Sequence, residues 1–112
     1  MSGVRRGLVK TGLLLILTEA QGERFEAAAE AASVAAAAGR PVAVLLRGSA
    51  ILHAPEPAAS LGLLLDLGAE LGACQTAMAA AGLSADSLDP RIAATGLVLF
   101  MSGRENWQML LA

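Results

Sequence analysis

Glu70-Leu71-Gly72-Ala73-Cys74-Gln75-Thr76-Ala77-Met78-Ala79-Ala80-Ala81-Gly82 reads as a strand that stops at a cysteine and passes into a short helix. Cys74 is the only cysteine in the chain. A thiol at such a junction sits where helix N–H groups converge and where the helix dipole favours an anion. Both effects lower a thiol pKa, and the thiolate is the reactive form. Gly82 then ends the helix, as a residue free to adopt positive φ does.

Working outward, the same alternation recurs. Leu13 to Leu17 is a continuous apolar run, expected of a strand buried on both faces. Residues 18–22 form a turn, and a helix runs from Glu23 to about Ala38 with Phe25, Ala28, Ala29, Ala32 and Ala36 on one face. Gly39 and Pro41 stop it, and Val42 to Leu46 is a second apolar strand. Residues 50–56 are expected as a loop stiffened by Pro55, and Pro57 suits the first turn of a helix whose face is Leu61, Leu64 and Leu65. After Gly82, Ser84 caps one further turn containing Asp86, and Asp89-Pro90 breaks it. A short strand is expected over 91–94 and a closing strand over 107–111. Periodicity leaves 96–102 open between helix and strand, and Thr95 as cap with Gly103 as stop favours helix. Strands alternating with helices predict an α/β fold with a largely parallel, five-stranded sheet.

The bulk numbers bound the class. A chain of 112 residues makes one domain, 1–112, with residues 1–10 expected as a basic, frayed leader. It is 55% hydrophobic and 16% charged, with a mean hydropathy of +0.60, which is apolar for a soluble chain. No run reaches the roughly 18 apolar residues of a membrane span. The apolar excess therefore points to strands covered on both faces and to surface lost in an oligomer. A secretory signal is not expected, because the run after Arg5, Arg6 and Lys10 is short and no small-residue cleavage site follows. A net charge of −2 and three aromatics argue against a nucleic-acid surface. A single cysteine permits no internal disulfide, which suits a reducing compartment such as the cytoplasm.

The order of elements, with Gly72-Ala73-Cys74-Gln75-Thr76-Ala77-Met78-Ala79-Ala80-Ala81-Gly82-Leu83 at its centre, resembles the DsrE/TusD-type (DsrE/DsrF-like) family of sulfur-relay proteins. The resemblance spans nearly the whole chain, and only the cysteine segment is motif-like. It implies a three-layer α/β/α fold, a homo-oligomer (with a trimer or hexamer as candidates) or a ring that also contains a relative, and a cysteine that can carry sulfur as a persulfide. Sulfur donor and acceptor proteins would be the partners, since no second cysteine is present to relay sulfur within the chain. No cofactor is implied.

The candidate site follows from where strand ends gather. In a parallel sheet, ligands bind outside the carboxyl ends of the strands. Cys74 lies at such an end, as do Thr18, Glu19, Arg47, Gly48 and Ser49. Arg47 is the candidate cation for a thiolate, with a solvated loop arginine as the alternative; Glu19 would oppose ionisation. Gly48, Ser49, Gln75 and Thr76 complete an anion-binding rim. His53, the lone histidine, could serve as base for Cys74, or stand as a solvent-facing loop residue. The spacing matches no zinc pattern, and no dinucleotide or phosphate-loop fingerprint is present. Asp86 and Asp89 read as turn-bonding residues. Two further readings compete with sulfur transfer: a non-catalytic oligomeric binding or scaffold domain with a buried, idle cysteine, and a small-molecule or nucleotide pocket on the same rim.

Overall fold

The structure, a computed structural model, describes residues 11–112; the expected leader lies outside them. Five strands, β1 (Leu13–Leu17), β2 (Val42–Leu46), β3 (Glu70–Cys74), β4 (Ile92–Thr95) and β5 (Gln108–Leu111), alternate with four helices, α1 (Glu23–Ala37), α2 (Ala59–Asp66), α3 (Gln75–Ala81) and α4 (Leu97–Met101). The sheet order is β4-β3-β2-β1-β5, and every neighbouring pair is parallel. The fold class expected from the sequence is the one observed.

The handedness of crossovers explains how the layers divide. Connections between parallel strands are almost always right-handed. The first three steps march one way across the sheet, from β1 to β4, and carry α1, α2 and α3 to one face. The last step returns from β4 past β1 to β5, so its helix α4 must lie on the other face. The cores bear this out. Leu13, Leu15, Leu17, Val44, Leu46 and Leu71 pack with Phe25, Ala28, Ala32, Leu61, Leu64 and Met78. Leu14, Ile16, Ala43, Leu45 and Cys74 pack with Phe100, bordered by Leu97, Met101 and Trp107. The alternation within each strand thus feeds two cores, which is why β1 and β2 are apolar at every position.

The α4 face is the thinner layer, and glycines let its large side chains reach the sheet. A Cβ on Gly72 would stand 2.8 Å from Phe100 Cε1 and 2.8 Å from Thr95 Cγ2, and one on Gly12 would stand 2.2 Å from the Trp107 ring. Between those rings lies the Arg104 guanidinium, 4.7 Å from the Phe100 centroid and 5.2 Å from that of Trp107. It also pairs with Glu70 and donates to the Phe100 carbonyl oxygen. A cation stacked on two rings and paired with a carboxylate ties α4 and the following turn to β3.

Several boundaries differ from those expected. Residues Gly48–His53 form a 3-10 turn instead of an open loop, because Ala50 and Ile51 turn inward to cap the core. The helix after Pro57 starts at Ala59, and Ala35, not Ala36, is the fully buried residue in the last turn of α1. β4 begins one residue late because Asp89 closes a turn: its Oδ1 accepts from the Arg91 amide at 2.8 Å, and its carbonyl accepts from the Ile92 amide. Residues 97–101 are helical, capped by Gly96 without a side-chain bond, so Thr95 is strand and not cap. Gly82, at φ 72° and ψ 26°, ends α3 in the left-handed conformation.

Replacing Gly72 by valine is expected to push Phe100 off the sheet. Overpacking of this kind costs about 1–3 kcal/mol. Urea unfolding followed by circular dichroism should show a lower midpoint for Gly72→Val, with Arg104's ring contacts loosened in parallel.

Candidate functional site

The carboxyl rim of the sheet is assembled by backbone bonds between successive strand ends. Thr18, just after β1, donates from both its amide (2.6 Å) and its Oγ1 (3.0 Å) to the carbonyl of Ala112. The Thr18 carbonyl in turn accepts from the amide (3.2 Å) and the Oγ (3.3 Å) of Ser49. Gly48 rests on that same carbonyl: its φ is +52°, and a Cβ there would stand 2.7 Å from the Thr18 oxygen. Only glycine fits both the angle and the space. The Arg47 amide donates to Leu17 at 2.9 Å, so the residue before the glycine is held as β2 leaves the sheet.

Cys74 is the last residue of β3 and the N-cap of α3. Thr76 and Ala77 are therefore the second and third helical residues, whose amides have no partner within the helix. Both amides face the sulfur, and the Arg47 side chain lies beside it. No formed side-chain cap bond is present at this helix start; these donors act on the sulfur as a positive surround, which favours a charge there. Burial is the largest single influence on the thiol and pushes its pKa up. The Ala77 and Thr76 amides together with Arg47 outweigh it and hold the pKa below its ordinary value. Glu19 plays no part in this balance and is exposed. Which of Arg47 and Glu19 lies nearer the thiol is not legible in the sequence; in the fold only Arg47 acts on it.

The cysteine is a buried residue. Cys74 is 4% exposed and belongs to the α4-side core, among Ile16, Leu45 and Phe100. Leu97, Met101 and Trp107 border that core. Of the predicted rim residues, the structure brings Arg47 and the Thr76 amide to Cys74. The Thr76 and Gln75 side chains are exposed, and Gly48 and Ser49 serve the Thr18 carbonyl. His53 is occupied elsewhere. Its Nε2–H donates to the Ala20 carbonyl at 2.6 Å, and its ring stacks on Phe25 with centroids 5.0 Å apart. Phe25 belongs to the core on the other side of the sheet from Cys74. Ala77 was missed because its contribution is a backbone amide, which no side-chain pattern announces. The α4 cover was missed because helix-to-face assignment is a tertiary matter.

An apolar groove of about 310 Å³ adjoins the site, lined by Gly48, Ser49, Ile51, Leu52, Ala77, Ala80 and Ala81. It runs between the 3-10 turn and α3. Among the described residues no group of three or more His, Cys, Asp or Glu side chains is placed to hold a metal ion, and no helix is long and apolar enough to cross a membrane.

Comparison with known proteins finds a likeness of shape alone. No family model matches the chain, and no curated protein does either. Solved structures do match. A protein of unknown function, MTH1491 from Methanobacterium thermoautotrophicum, superimposes with a TM-score of 0.78 at 14% identity over 92% of this chain and 100% of its own. The ychN protein from E. coli gives 0.75 at 13% identity over 93% and 100%. BT1422 from Bacteroides thetaiotaomicron, also of unknown function, gives 0.66 at 15% identity over 89% and 94%. The fold is shared. At these identities nothing else about the neighbours transfers.

The lowered thiol pKa has two measurable consequences. Thiolate absorbance should titrate below the ordinary midpoint of about 8.5, and Arg47→Met should move that midpoint up. Because the folded pKa is the lower one, the thiolate's contribution to stability is fully present above the unfolded pKa and is lost as pH falls through the folded pKa. Wild-type unfolding free energy should therefore rise between neutral and mildly alkaline pH relative to Cys74→Ser, measured by denaturant titration at each pH.

Proposed function

We propose that this protein is a sulfur-relay or persulfide-carrier protein of the DsrE/TusD type, working on Cys74. The observation that carries the reading is Cys74 at the N-cap of α3, where the Ala77 and Thr76 amides and the Arg47 side chain lower its thiol pKa against the effect of burial. The neighbours' shared fold and the likeness of residues 72–83 to the family's cysteine segment support it.

In such a carrier the Cys74 thiolate attacks the terminal, sulfane sulfur of a donor persulfide. A bond forms from Sγ to that sulfur, the donor's own S–S bond breaks, and the electron pair leaves on the donor thiolate. Cys74 then holds an anionic persulfide, stabilised by the Thr76 and Ala77 amides and Arg47. A partner thiolate attacks the terminal sulfur and returns Cys74 as thiolate, so the two steps balance with no external oxidant or reductant. The donor and acceptor would be other proteins or small persulfides. A reducing compartment such as the cytoplasm suits a free thiol. Since Cys74 is 4% exposed, loading requires movement of the side chains that cover it on the α4 face, the core to which Phe100 belongs. That cover rests on α4, a helix of five residues.

A second reading is favoured by that same burial: a non-catalytic oligomeric scaffold in which the thiol is an idle hydrophobe. In either reading the chain self-associates, and Val98 (86% exposed), Leu99 (72%) and Leu111 (66%) support this as a large apolar surface for a monomer of this size.

Incubation with a persulfide donor followed by intact mass measurement tests the carrier. Wild type should gain the mass of one sulfur atom and Cys74→Ser should gain none. An unmodified wild type, or an equal gain on the variant, rules the carrier out and leaves the scaffold.

A further inference from the structure

The two edges of the sheet are built differently. β4 at one edge carries small residues, Ala93 and Ala94, and is preceded by Pro90 and by Arg91, which pairs with Asp89 and Asp66. Charge, proline and short length are how natural edges are kept from pairing with other strands. β5 at the other edge is equally short, at four residues, but its sequence carries neither a charged residue nor a proline. Its sequence is Gln-Met-Leu-Leu, every residue is exposed, and Met109 and Leu111 are 46% and 66% exposed.

Its backbone is half used. The amides of Gln108 and Ala112 donate to Gly12 and Ile16 on the β1 side, both at 2.9 Å. The period of two along a strand then turns the N–H and C=O groups of Met109 and Leu111 outward. β5 pairs only with β1, so among the described residues no neighbouring strand meets these outward groups. Such a row is completed by another extended strand.

We infer that the outer edge of β5 pairs antiparallel with β5 of a second copy of this chain, about a two-fold axis at Leu110. The inference rests on the reading of the chain as self-associating and names the surface. The outward groups are their own complement. With Leu110 opposite its mate, Met109 faces Leu111 of the second copy and Leu111 faces Met109, so each pair exchanges two hydrogen bonds and the contact closes with four. Side chains match as well. Register with β1 puts Met109 and Leu111 on the α4 face and Leu110 on the α1 face. Across the axis, Met109 and Leu111 meet each other on the first face and the two Leu110 side chains meet on the second. On that second face an apolar groove of about 260 Å³ lies between α1 and β5, lined by Arg24, Ala27, Ala28, Ala31 and residues 110–112. The alanines leave room there for the second copy's Leu110. Four hydrogen bonds alone are a small contact against the roughly 800 Å² per partner of a standard interface, and this groove supplies further area. A two-fold contact makes a dimer, or one of the two interfaces of a hexamer; it cannot build a closed trimer.

Light scattering and amide hydrogen exchange on the full chain test this together. Wild type should have a mass of two chains or an even multiple. The Met109 and Leu111 amides should be protected when concentrated and lose protection on dilution, while Leu110, bonded to β1, stays protected throughout. Leu111→Lys, at an exposed position, should keep the circular dichroism of the wild type, lower the mass, and free both amides. A monomeric wild type overturns the inference and self-association with it. An oligomer whose Met109 and Leu111 amides exchange freely, or a mass unchanged in Leu111→Lys, overturns the edge contact alone and leaves self-association standing. Protection that persists in dilute monomer shows the edge covered from within its own chain, and also overturns it. Cys74→Ser should leave all of these unchanged, which separates this outcome from that of the sulfur chemistry.

Discussion

Right-handed crossover between parallel strands is the constraint on which the rest of this structure depends. Three crossovers in one direction place three helices on one face, and the single reversal around β1 sends α4 alone to the other. The molecule is consequently lopsided, with a full helical layer over one core and one turn of helix over the other. Cys74 points into the thinly covered side. The reversal also leaves β5, the last strand laid down, at an edge.

The thin layer is held by a few specific contacts. Phe100 and Trp107 reach the sheet because Gly72 and Gly12 lack side chains, and Arg104 fills the space between the rings while pairing with Glu70. A one-turn helix has little stability of its own. Its hold on the sheet is tertiary, so the part of the fold above Cys74 is also the part with the least local reason to stay put. Within that thin side the Ala77 and Thr76 amides and Arg47 outweigh burial and lower the Cys74 thiol pKa.

The rim shows how a fold selects among residues that look alike in sequence. Arg47 and Glu19 both follow strand ends, yet only Arg47 acts on the sulfur. The reason lies in the chain of bonds from Ala112 through Thr18 to Ser49, with Gly48 seated on the Thr18 carbonyl. His53 follows the same strand end as Arg47 but is drawn under by the 3-10 turn, where Phe25 and the Ala20 carbonyl take its ring.

What the sequence by itself determined is what depends on neighbours along the chain. Apolar runs at Leu13–Leu17 and Val42–Leu46 announce strands buried on both sides, glycines at 68 and 82 end their helices, and the strand–helix alternation demands a parallel sheet. A cysteine at a helix start was legible for the same reason. What only the tertiary structure decided is what depends on residues far apart: strand order, which face each helix covers, the burial of Cys74 in the α4-side core, and the partners of Arg47 and His53. These follow from crossover direction and from packing between elements dozens of residues apart, and neither leaves a mark in local periodicity. The open edge of β5 belongs with them, since a strand's sequence records that it is apolar but not which of its neighbours is absent.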